Sequence, residues 1–236
     1  MPRRKGTCVY CGSFGPLHMD HVPPENLFEP HEGSNLITVP CCRSCNSAAS
    51  KDDQYFLVFI GLREGAKLKP EHDRIWQKVR RTLKRKEASK FRQNVTSKIR
   101  FVNPVTATGI ILPPALSVPT DGLRVAETVN RFVKGLYFHE KRTRLPDTHL
   151  VISHDELALQ NPPIERTKEI SQFCNLITQV QTTPRKTVGT VFAYHWASNP
   201  AQSANTIWLL DFFGGIRFFC ITQPSGNNLL GPPTLI

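Results

Sequence analysis

Residues 8–12 read CVYCG and residues 42–46 read CRSCN. Each stretch opens with a CxxC pair, a spacing that lets the chain turn tightly and point two thiolates at one ion. Cys8, Cys11, Cys42 and Cys45 are therefore candidate ligands of a tetrahedral zinc. Four thiolates leave no open position, so the role expected of that zinc is structural. Gly12 suits the tight turn after the first pair. Cys41 adjoins Cys42, and the CxxC spacing selects Cys42. Five of the seven cysteines fall within the first 45 residues. In a reducing compartment such paired cysteines bind metal rather than form disulfides. A structural zinc contributes folding free energy outright, roughly 10–16 kcal/mol in isolated fingers, which would hold a small module together without a large core.

The chain between the two pairs narrows the reading. Asp20-His21-Val22-Pro23-Pro24 follows the first pair, Asn35-Leu36-Ile37-Thr38-Val39-Pro40 leads into the second, and Asn46 comes directly after Cys45. In this order and spacing, residues 8 to about 56 resemble the HNH endonucleases, the ββα-metal nucleases. The resemblance implies a zinc-stabilised ββα-metal module over residues 1–60 and an enzyme that hydrolyses phosphodiester bonds in DNA. It implies His21 as general base, Asp20 and Asn46 as holders of a catalytic Mg²⁺ or Mn²⁺, and Asn35 as a residue that orients the loop or the histidine. These residue types suit the chemistry. An imidazole titrates near neutrality and can take a proton from water. A hard divalent ion wants oxygen ligands, and a carboxylate and an amide carbonyl supply them. Asn46 stands where other members of that family carry histidine.

The motif's short helix is expected from about Arg43. Asn46, Ser50 and Asp53 are then spaced i, i+4, i+7 and share one face. That spacing brings Asp53 within reach of the ion, but the simpler reading is an exposed helix charge. Asp20 and His21 point to opposite faces of a regular strand, and the resemblance implies an irregular hairpin that lets both reach the site. Glu25, Glu29 and Glu32 lie in the intervening loop and would repel a nucleic-acid strand unless they face away. His18 is expected in a surface loop, and His31 has no evident partner.

Charge is concentrated. The net charge is +11, and residues 63–100 alone hold fourteen Lys/Arg against four Asp/Glu, a net +10. A cationic stretch of that density reads as a contact to a nucleic-acid backbone. Candidate phosphate contacts are Arg80, Arg81, Lys84, Arg85 and Lys86, with Arg43 and Lys51 from the first segment. Within residues 61–100, Ile75, Val79 and Leu83 recur at i, i+4, i+8, which predicts a basic helical connector with one narrow apolar stripe.

Residues 101–236 read as a separate α+β domain. A helix is predicted over 121–138, capped by Thr120 or Asp121, with Leu123, Val125, Ala126, Val129, Phe132 and Val133 buried. Residues 149–153 read as a short strand and 164–181 as a second helix. Three apolar runs near 187–197, 206–213 and 216–222 predict an antiparallel meander, with Gly214-Gly215 as a two-residue hairpin turn. Cys174 and Cys220 sit in apolar runs and read as core thiols. Nothing in this part matches catalytic chemistry, so its expected role is target recognition, dimerisation or regulation.

The fold class expected is thus α+β: a ββα-metal module, a basic connector and a C-terminal domain with an antiparallel sheet. The expected partner is nucleic acid, double-stranded DNA first, with a homodimer as a further possibility. No signal peptide or membrane span is read, so a cytoplasmic protein is expected. Two alternatives stand beside DNA cleavage. One is a non-catalytic zinc-binding nucleic-acid module, which predicts the loss of Asp20, His21 or Asn46; all three are present. The other is an HNH nuclease that cuts RNA. A zinc-stabilised protein adaptor would not need the +10 stretch.

Overall fold

In the computed structural model, residues 4–29, 35–63, 71–106, 108–156, 159 and 183–226 are described. The chain opens with a three-stranded antiparallel sheet, β1 (Lys5–Thr7), β2 (Phe14–His21) and β3 (Thr38–Cys42), in the order β1-β2-β3. The register sets Asp20 opposite Val39 and His21 opposite Thr38. A 3-10 turn, Glu25–Leu27, lies in the loop after β2. Helix α1 (Arg43–Leu62) leaves β3 directly, with Cys42 as its N-cap. This is the expected ββα order.

At 20 residues, α1 is longer than the short helix expected. Its first half is polar, but Phe56 to Ile60 are buried on every side. A helix that is apolar all round needs protein all round it. Phe56 meets Phe132 at 5.1 Å and Phe212 at 5.3 Å between ring centres. Helix α2 (Glu71–Lys84) covers another side of α1. Its stripe forms as predicted, with Ile75 and Val79 buried and Leu83 partly buried. Gly61 permits the close crossing, since a Cβ there would meet Val79 Cγ2 at 2.7 Å. A short helix α3 (Ser89–Thr96) and a two-stranded ribbon, β4 (Arg100–Val102) with β5 (Ala115–Ser117), follow.

Helix α4 (Gly122–Lys141) is capped by Asp121, whose carboxylate accepts from the Arg124 amide at 3.2 Å. Val125, Ala126, Val129, Phe132 and Val133 are buried as predicted. Leu123 is exposed instead, because at 3.6 residues per turn it falls about 120° around the helix from the centre of that stripe, off its edge. A five-stranded antiparallel sheet completes the fold: β6 (His149–Asp155), β7 (Lys186–Val188), β8 (Phe192–Ser198), β9 (Thr206–Phe212) and β10 (Ile216–Pro224), in the order β6-β10-β9-β8-β7.

The predicted meander is β8-β9-β10. Its last turn holds three residues rather than two. Phe213 joins Gly214 and Gly215 there, buried at φ 57°, because its amide donates to Val191 O at 2.8 Å. Cys220 is a core thiol, as expected. Cys174 and the helix predicted over 164–181 lie outside the described residues.

One buried cluster draws on all three segments of the sequence: Val22 and Phe56 from the first, Ile75 and Val79 from the second, Phe132, Trp208 and Phe212 from the third. The composition changes near residues 60 and 100, but the packing runs across both places. No helix among the described residues is long and apolar enough to cross a membrane.

Candidate metal centres and active-site cavity

The four cysteines converge. Cys8 and Cys11 flank a tight turn in which the Gly12 amide donates to Cys8 O at 3.0 Å and Gly12 takes φ 74°. Cys42 and Cys45 sit at the junction of β3 and α1. All four Sγ atoms lie within 4.8 Å of one another, and Cys11 Sγ is 3.7 Å from Cys42 Sγ. A tetrahedral ion with metal–sulfur bonds of about 2.3 Å holds its sulfurs roughly 3.8 Å apart, so the cluster fits structural zinc. The Ser44 hydroxyl and the Cys45 amide hold the Cys42 thiol down at about 5, which favours the thiolate that binds metal. Neighbouring Cys41 is buried, its thiol pushed up to about 12, and it stays out of the cluster. The Arg144 guanidinium lies against Gly12 and brings positive charge close to Cys8 and Cys11.

A second constellation forms where the end of β2 faces α1. An open cavity of about 440 Å³ is lined by Asp20, His21, Asn46, Ser50 and Asp53, together with Pro24, Glu25, Asn26, Ser47 and Gln54. The helix face of Asn46, Ser50 and Asp53 thus looks onto the Asp20-His21 pair. Both members of that pair reach the cavity although β2 pairs regularly through His21. His21 Nδ1 is 3.7 Å from Glu25 Oε2, an electrostatic contact longer than a hydrogen bond.

Asp53 is largely buried, which corrects its reading as an exposed helix charge. The cause lies on α4. Arg131 Nη1 donates to Asp20 Oδ2 at 3.0 Å, and Arg131 Nη2 donates to Asp53 Oδ1 at 2.6 Å. Tyr10 Oη donates to the same Asp20 Oδ2 at 2.7 Å, and the guanidinium lies over the Tyr10 ring. Burial and the adjacent Asp20 push the Tyr10 phenol well above its usual range, so it remains a donor. Burial also raises Asp53 to about 6, against the lowering effect of Arg131. Two turns earlier on α4, Arg124 Nε donates to Asp52 Oδ1 at 2.6 Å. Arg124 and Arg131 share a helix face and grip consecutive aspartates of α1.

Residues 8–52 match the HNH endonuclease family model. The match covers less than a quarter of the 236 residues and includes the cysteine cluster, Asp20, His21 and Asn46. No curated protein and no solved structure matches the chain.

Around the HNH segment the remaining candidates divide. Asn35 is exposed and lines a different cavity, with His139, Arg142 and Lys186. His18 lies within β2 opposite Cys41, not in a loop, and outside the lining of the Asp20 cavity. Arg43 and Lys51 are exposed on α1, also outside that lining. Arg81 and Arg85 line a neighbouring cavity of about 300 Å³ that shares Asn26 and Gln54 with the HNH cavity. Arg80 and Lys84 line a further hollow beside Arg81, and Lys86 is exposed beyond the end of α2. Of the loop acids, Glu25 faces His21, and Glu29 pairs with Lys78 at 3.5 Å. Glu32 and His31 lie outside the described residues.

Tyr10, Arg131, Asn26 and Gln54 are the lining and supporting residues that sequence reading missed. Arg131 is 111 positions from Asp20. Only its place between buried neighbours of a helix hinted that its charge had an internal partner.

Proposed function

We propose that the protein is a divalent-metal-dependent HNH endonuclease that hydrolyses phosphodiester bonds in DNA. The observation that carries this reading is the convergence of Asp20, His21 and Asn46 on one open cavity within the HNH segment. The Asp20 carboxylate, the Asn46 side-chain carbonyl and the nearby Asp53 carboxylate form an all-oxygen donor set, which fits a hard ion such as Mg²⁺ or Mn²⁺. Asp20 and Asn46 would hold it. When bound, such an ion neutralises charge on the scissile phosphate and on the departing oxygen.

The chain's own residues supply the rest. Glu25 faces His21 Nδ1, so Nε2 is the nitrogen turned to the reaction. His21 Nε2 takes a proton from a water molecule, whose oxygen attacks phosphorus. The bond from phosphorus to the 3′ oxygen breaks, and solvent protonates the leaving oxygen. Tyr10 and Arg131 both bond Asp20 through Oδ2, which fixes the carboxylate and leaves Oδ1 as the oxygen that would hold the ion. Arg81 and Arg85 continue the cavity as cationic lining and would track the backbone of a bound strand.

The test is cleavage of an end-labelled DNA duplex and its RNA counterpart, with and without added Mg²⁺ or Mn²⁺. Metal-dependent DNA products ending in 5′-phosphate and 3′-hydroxyl support the proposal. Cleavage of RNA alone would replace the substrate, and 3′-phosphate ends would contradict the mechanism.

A further inference from the structure

Twelve large apolar side chains are exposed among the described residues, and eight of them lie between Ile99 and Leu116. Phe101 is the most exposed, at 80%, and its partner across the β4–β5 ribbon, Leu116, is at 62%. Ile110 and Ile111 stand equally open near the tip. The arm is nonetheless ordered by its own bonds. Thr106 N donates to Ile110 O at 2.9 Å, Leu112 N to Pro104 O at 2.7 Å, and Val105 pairs with Ile111 across the tip. β4 and β5 make their main contacts with each other and form a sheet of two strands. A lone hairpin is at best marginal in water, and an exposed apolar patch of this size marks an interaction site.

Charge decides what the arm meets. Residues 101–120 contain no Asp, Glu, Lys or Arg, in a chain of net charge +11. Nucleic-acid backbones are bound through cations, and this arm carries a single one, Arg100 at its base, with none from Phe101 through the tip to Ser117. Depletion of charge with retained aromatic and aliphatic side chains is instead the composition of a protein–protein interface core. Two copies can also meet here without opposing the like charges carried elsewhere. The geometry is self-complementary, because among the described residues no further strand pairs with either edge of the two-stranded ribbon, and a twofold axis can join like edges antiparallel. The size is adequate: at roughly 30 Å² per interface residue, an arm of about 20 residues buries roughly 600 Å² per partner and 1,200 Å² in all, the lower end of stable interfaces.

We propose that the β4–β5 arm is a self-association surface through which two copies of this chain form a dimer. The proposal does not depend on the nuclease reading. If that reading holds, the dimer supplies two active sites, one for each strand of a duplex.

The test is sedimentation equilibrium of the full, zinc-loaded chain over a dilution series, without nucleic acid. The wild type is expected to tend to twice the chain mass. The double substitution Phe101→Glu with Leu116→Glu, and independently Ile111→Glu, are expected to give the single-chain mass. All three side chains are exposed, so the single-chain fold and zinc content should be kept, and Tm should fall only by the concentration-dependent stabilisation that the dimer supplied. Leu123→Glu, equally exposed but on α4, should leave the dimer intact. A wild type that stays monomeric overturns the proposal, and so does a double variant that stays dimeric. Unchanged mass together with weakened DNA binding would make the arm a DNA-inserting wedge and would equally overturn it.

Discussion

Arg131→Met keeps much of the side chain's length and removes the guanidinium that joins Asp20 to Asp53. In the folded protein that group donates at 3.0 Å and 2.6 Å to two carboxylates largely shielded from water. Removing one partner of a buried ion pair costs about 3–5 kcal/mol, because the charge left behind is uncompensated. The cavity is open to solvent on one side, so the lower figure applies: about 3 kcal/mol, or roughly 6–12 °C in Tm for a chain of this size.

The loss has a pH signature. Burial holds Asp53 at about 6 in the folded protein, against 3.8 in the free residue, even with Arg131 present. A folded value above the unfolded one means that the group's stabilising contribution is complete below 3.8 and is lost as pH rises through about 6. Without Arg131 the two carboxylates repel and Asp53 moves higher still. The deficit of the variant should therefore be smaller near about pH 5, where Asp53 is protonated and only Asp20 has lost its charged partner, and full near about pH 8.

Denaturant unfolding followed by tryptophan fluorescence, in buffer without added divalent ions, measures it at both values. Arg131→Lys retains the charge but loses the two-pronged bridge, and should recover about half of the loss. A deficit below about 1 kcal/mol at both pH values, or one larger in acid, would refute the reasoning, since a solvated pair is worth no more than that.

Cys42→Ser should abolish zinc binding and open residues 4–62 to proteolysis, whereas Cys41→Ser should keep the metal; zinc content and limited proteolysis distinguish them. Equal zinc loss in both would contradict the ligand set. Arg81→Ala with Arg85→Ala should flatten the dependence of DNA affinity on salt by roughly 1.8 in log–log slope, about 0.9 per phosphate contact. Lys51→Ala, outside the cavities, should leave that slope unchanged. A double variant with the wild-type slope would place the strand elsewhere.

The convergence of Cys8, Cys11, Cys42 and Cys45 was legible in the sequence because a CxxC pair is a local device and carries its own geometry. The face shared by Asn46, Ser50 and Asp53 was legible for the same reason, since helical periodicity needs no knowledge of the rest of the fold. The stripe of Ile75 and Val79 on α2 and the cap at Asp121 also follow from neighbours in the chain. What failed to show was long-range. Asp53 looked like a solvated charge until α4 brought Arg131 to it. The expected separation at residue 101 missed the apolar second half of α1, whose Phe56 reaches Phe132 and Phe212. The turn after β9 gained a residue because Phe213 bonds to Val191 in another loop. Each miss is a tertiary partner overriding a local signal.

The most direct test of the account is cleavage of supercoiled plasmid by the purified, zinc-loaded protein with Mg²⁺ or Mn²⁺, wild type beside His21→Ala. The account predicts metal-dependent nicking or linearisation by the wild type, and loss of that activity in the variant with zinc content and DNA binding preserved. Undiminished cleavage by His21→Ala, or no cleavage by well-folded wild type, would contradict it.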